Sequence, residues 1–109
     1  MITLTDVLHK IQATVGPDIP ANHLNALYRH YASITDQLEE TEAYYHKKYG
    51  SGTSLYFPLA SYEHGIDLIR EVYIQTSGTH PKELDTRKAP AQHEKLYLFL
   101  YLQPMDTHD

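Results

Sequence analysis

Glu39, Glu42 and His46 are the residues whose types and spacing most resemble a reactive set. They stand at i−3, i and i+4. Residues three and four apart are neighbours on a helix surface, so one helix would bring two carboxylates and an imidazole to one edge. Such groups can ligate a divalent transition metal. A carboxylate near an apolar stripe must be paired, hydrogen-bonded or neutralised. One expectation is therefore a metal-binding helical-bundle protein, with a divalent transition metal held by Glu39, Glu42 and His46. The Glu-x-x-His pair of bundle carboxylate sites does not occur in the chain. His64, Asp67 and Glu71 form a second, weaker set on a polar face. His23 and His30 lie seven apart, as edge-of-core residues often do.

Other chemistries are poorly served. The chain has 109 residues and no cysteine, which excludes disulfides, thiolate zinc sites and a cysteine nucleophile. Gly50-Ser51-Gly52-Thr53-Ser54 follows Lys47-Lys48 but lacks the Gly-Lys pair of a phosphate-binding loop. Lys82, Arg87 and Lys88 are interleaved with Glu83 and Asp85, as in a solvated loop. No serine, histidine and aspartate fall into a nucleophile pattern. No catalytic residue is assigned, and the chain is expected not to be an enzyme.

Charge narrows the partners. Fourteen acidic residues against nine basic give a formal net charge of −5. A domain built to hold phosphate backbones would be basic, so no nucleic-acid partner is expected. The longest apolar run, Leu96 to Leu102, has seven residues, against the roughly 20 of a membrane-spanning helix. The first residues lack a basic segment followed by an apolar run. A soluble cytoplasmic protein without membrane attachment is expected.

The elements that would position these groups read as helices. Thr3 and Asp6 match a capping box. Leu4, Leu8, Ile11 and Val15 follow at helical spacing, and Gly16-Pro17 stops the run. Leu24, Leu27, Tyr31, Ile34, Leu38 and Tyr45 repeat in threes and fours. Leu59, Tyr62, Ile66, Ile69 and Tyr73 make another stripe, interrupted by Gly65, which costs about 1 kcal/mol relative to Ala. Residues 78–89 read as a polar loop. The spacing predicts helices near 4–15, 20–49, 58–77 and 90–103, an all-α, single-domain four-helix bundle. The alternative is α+β, with strands near 54–57, 71–76 and 95–102.

Periodicity cannot resolve Leu96 to Leu102, because every residue there is apolar or aromatic. A helix apolar all round is either central or covered by another chain. The favoured function follows from the second option. It is a small non-enzymatic interaction protein that self-associates, as a homodimer for instance, or binds a protein partner through a tyrosine-rich C-terminal helix. Tyr97, Leu98, Tyr101 and Leu102 would form that interface, and substituting Leu98 or Tyr101 by Glu would abolish association while sparing the fold. Size and helix count are also similar to those of acidic inhibitor or immunity-type proteins of bacterial or phage origin, an analogy of architecture that fixes no residue.

Overall fold

A computed structural model describes residues 2–16, 18–19, 24, 28–76 and 95–104. Its elements run α1 (Leu4–Val15), β1 (Tyr28–Thr35), α2 (Leu38–Tyr49), β2 (Thr53–Leu59), α3 (Tyr62–Thr76) and β3 (Leu96–Pro104). The strands form one sheet in the order β1-β3-β2, and both ladders are antiparallel. The all-α bundle is therefore overturned: among the described residues the fold is α+β, with three helices around a three-stranded antiparallel sheet.

β3 explains the correction. Its residues from Leu98 to Leu102 are all buried, because both faces of the central strand are covered. Leu98, Leu100 and Leu102 enter the main core with Val7 and Ile11 of α1 and with Leu68, Ile69 and Val72 of α3. Phe99 and Tyr101 point the other way, into a smaller cluster with Tyr45 of α2. An element buried on two faces shows no period of two, so its apolar run looks like a helix buried on all sides. The interval between Pro90 and Pro104 has a helix-like length, but the strand begins at Leu96.

The long stripe assigned to a helix over 20–49 divides in two. Tyr28–Thr35 is a strand and Leu38–Tyr49 a helix, with Asp36 and Gln37 between them; of residues 20–27 only the buried Leu24 lies within the described residues. Tyr31 and Ile34, which helical spacing would place on one face, lie on opposite faces of the sheet. Tyr31 joins the Tyr45 cluster, whereas Ile34 packs against the main core with Ala32. Alternation of strand side chains separates them. The α+β alternative places strands where β2 and β3 stand, but residues 71–76 close α3 as helix, and β1 was missed. The loop expected over 78–89 lies outside the described residues.

Local signals succeed where the element is locally determined. α1 begins on the capping box: Thr3 Oγ1 accepts the Asp6 N–H at 3.3 Å, and the Asp6 carboxylate accepts the Thr3 N–H at 2.8 Å. Those Thr3 hydrogen bonds hold the Asp6 carboxyl below its ordinary value. Gly16 ends the helix at φ +117°, a conformation that glycine adopts without steric cost. α3 turns Leu68, Ile69, Val72, Tyr73 and Thr76 inward, together with Gly65. A Cβ at Gly65 would stand 2.7 Å from Ile34 Cδ1 and 2.8 Å from Leu59 Cδ1. The missing side chain lets α3 approach the sheet, which is why a poor helix former sits there.

His64 ties the N-terminus to α3. Its Nδ1 accepts the Ala60 N–H at 3.2 Å, so the proton resides on Nε2, which donates to the Ile2 carbonyl at 3.1 Å. Farther along α3, the Tyr73 hydroxyl donates to the His30 carbonyl at 3.0 Å, and the two rings lie 4.6 Å apart. Burial pushes the His30 imidazole below its ordinary pKa of 6.5.

Two outcomes are expected. Leu98→Ala should cost about 2–5 kcal/mol in urea unfolding, the usual result of hollowing a well-packed core, and Leu98→Glu should abolish the cooperative transition altogether. For His30, the unfolded chain takes up a proton before the folded one as pH falls. Its contribution to stability is therefore complete above about 6.5 and is lost progressively below it. His30→Gln should flatten that acid-side slope in thermal melts recorded as a function of pH.

Candidate functional site: a tyrosine-rich sheet face

Among the described residues, two helices cover one face of the sheet, and α2 alone covers part of the other. α2 buries only Tyr45. That ring is the hub of an aromatic cluster, with centroids 5.4 Å from Phe99, 5.7 Å from Tyr101, 5.7 Å from Tyr49 and 6.0 Å from Tyr31. Tyr31 and Tyr49 stack at 3.9 Å. Aromatic pairs at such distances contribute roughly 0.5–1.5 kcal/mol beyond their buried area.

Polar contacts hold the C-terminal end of α2 onto the sheet. The last carbonyls of a helix lack intrahelical partners. Here the Tyr101 hydroxyl donates to the Gly50 carbonyl, and the Gln103 amide donates to the Tyr49 carbonyl and, at 3.4 Å, to that of Ser51. Burial, with the nearby Glu42 charge, pushes the Tyr101 hydroxyl pKa upward and so keeps it protonated as a donor. Gly50 takes φ +90°. Gly52 passes so close to β3 that a Cβ would lie 2.7 Å from Tyr101 Cζ and 2.8 Å from the Leu102 carbonyl oxygen. At the other end, Thr35 Oγ1 accepts the Gln37 N–H at 2.9 Å and lies 2.8 Å from Thr41 Oγ1. Glu39 and Glu40 in the first turn, and His46, Lys47 and Lys48 in the last, follow the helix dipole.

Beyond α2 the face is open. Tyr56 of β2 is 61% exposed and packs edge-to-face on Tyr97 at 6.2 Å. Pro58, opposite Tyr97 in the register, is also exposed. Tyr44 is 55% exposed and meets Tyr45 edge-on at 5.4 Å. The Lys48 ammonium lies 5.6 Å from its ring and 5.2 Å from that of Tyr49, and contact with the two tyrosines raises the Lys48 pKa. Beside Tyr97, an open depression of about 340 Å³ is lined by Asp36, Glu39, Glu40 and Lys95 among others. The surface thus joins exposed tyrosine rings to an acidic rim.

The residues singled out in the sequence are distributed otherwise than expected. Glu39, Glu42 and His46 are all exposed on α2. Glu39 lines the depression, while the His46 ring lies 5.8 Å from Tyr101. Among the described residues, no three histidine, aspartate or glutamate side chains are grouped to hold a metal ion. That includes the His64 set, whose Asp67 and Glu71 are exposed while both imidazole nitrogens are engaged. Of the four residues expected at an interface, Leu98, Tyr101 and Leu102 are 0%, 0% and 2% exposed and serve the core. Only Tyr97 reaches the surface, and it does so from a strand. Tyr56 and Tyr44 escaped notice. The signal for Tyr56 was its place between Leu55 and Phe57: if these point to the core of a strand, the residue between them points away.

Gly52→Ala tests the seating of α2. The added methyl meets backbone as well as the Tyr101 ring, so a loss of about 1–3 kcal/mol is expected. The tyrosine near-ultraviolet circular dichroism should weaken with it, since the aromatic cluster is displaced. No protein-family model, no curated protein and no solved structure matches this chain.

Proposed function

We propose that this chain is a small non-enzymatic binding protein whose contact surface for a protein partner is the open part of the tyrosine-rich face. The observation that carries the reading is the Tyr56–Tyr97 pair. Tyr56 is 61% exposed yet held edge-on against a second ring. A ring fixed in this way gives up little conformational freedom on binding, and tyrosine offers both apolar area and a hydroxyl. Buried aromatic anchors dominate the energetics of many interfaces. Pro58 extends the apolar surface, and Asp36, Glu39 and Glu40 form a negatively charged rim at the depression beside Tyr97. The complementary partner is a protein surface with an apolar centre and lysine or arginine at its edge.

The test is a photo-crosslinking amino acid at position 56, with the same group at position 74 as control. Ile74 is 49% exposed but belongs to α3, on the opposite side of the sheet. Heterologous adducts at position 56 that are absent at 74 and diminished by Tyr97→Ala are expected. Equal labelling at both positions, or no heterologous adduct at 56, would overturn the reading.

A further inference from the structure

We infer that a second copy of this chain docks along the outer edge of β2, joining two three-stranded sheets into one six-stranded antiparallel sheet. The inference goes beyond the binding reading and does not depend on what occupies the tyrosine face.

The two edges of the sheet differ. Among the described residues, β1 and β2 each have a strand neighbour on one side only. An open edge presents unpaired N–H and C=O groups, and natural edges are commonly guarded by charge or proline. β1 carries Arg29, which is exposed, and the half-buried His30. β2, Thr-Ser-Leu-Tyr-Phe-Pro-Leu, carries no charged residue in a chain of net charge −5. Its one guard is Pro58, the sixth of seven positions, which leaves Thr53 to Phe57 unguarded.

The alternation of β2 suits self-pairing. Leu55 and Phe57 are buried towards the main core, whereas Tyr56 is exposed on the opposite face. In a two-fold antiparallel pairing with Leu55 opposite its own copy, Thr53 faces Phe57 and Ser54 faces Tyr56 across the junction. Every residue then keeps its side of the sheet, as register requires wherever one face is buried. The helices α1 and α3 of both copies lie on one side, and both Tyr56–Tyr97 pairs lie on the other. Self-repulsion between two acidic chains is smallest at an edge with no charge, and an uncharged strand supplies no charge pattern by which to select a foreign one. A closed two-fold dimer is also the commonest symmetric assembly.

The experiment is native mass combined with amide hydrogen exchange on the unmodified full chain over a wide concentration range. A species of twice the 12.6 kDa chain mass is expected at high concentration. Alternate amides between Thr53 and Phe57 should gain protection as it forms, and those of Tyr28–Thr35 should not. Tyr56→Lys, which places like charges near the two-fold axis, should shift the equilibrium to monomer with the circular dichroism spectrum unchanged. A monomer at every concentration overturns the inference. So does a dimer whose β2 amides exchange as fast as in the monomer, because that dimer uses another surface. Neither result removes heterologous crosslinks at position 56, so the two readings fail separately.

Discussion

The fold depends on the burial of β3 on both faces. Leu98, Leu100 and Leu102 supply one side of the strand to the main core, while Phe99 and Tyr101 supply the other to the tyrosine cluster. Each of these five residues is at most 2% exposed. A fully buried leucine or phenylalanine is worth roughly 1.5–3 kcal/mol relative to its exposed state, so no other described element of similar length gathers as much apolar burial. Among the described strands β3 pairs with both others, and it unites segments far apart in the chain.

The two faces are secured by different means. On the α1 and α3 side, aliphatic packing dominates, and Gly65 brings α3 close enough for Ile34 and Leu59 to reach it. On the α2 side, tyrosines dominate. Their rings stack, and their hydroxyls need partners when buried. Tyr101 meets that need through the carbonyl of Gly50, just past the end of α2. One hydrogen bond therefore satisfies a buried hydroxyl and anchors the turn after α2, while Gln103 takes the helix's terminal Tyr49 carbonyl. Gly52 makes the arrangement possible, because any side chain there would occupy the space of the Tyr101 ring.

This second face is the less covered one among the described residues. There a single twelve-residue helix covers the sheet near β1 and the middle of β3, and Tyr56 of β2 is exposed. The exposed rings lie next to an acidic rim and next to a strand edge without charge. The binding proposed at the face and the pairing proposed at the edge would be separate uses of neighbouring surfaces, one drawing on side chains and the other on backbone.

Much of the local structure was legible in the sequence. The Thr3–Asp6 box and Gly16 delimit α1, because caps act within a few residues of the chain. Most of α3 was legible in the helical spacing of its apolar residues, although its inward face is turned from the expected stripe towards Gly65, Leu68 and Val72. The composition alone excluded cysteine chemistry. What only the tertiary structure decided was the state of Tyr28–Thr35 and Leu96–Pro104, and with it the place of every tyrosine. Spacing reports which side of an element is buried. It does not report pairing between residues such as Ile34 and Leu98, which lie opposite each other in the ladder though far apart in sequence. A strand buried on both sides has no polar side to reveal its period, so its identity rests on non-local hydrogen bonds that no local pattern records.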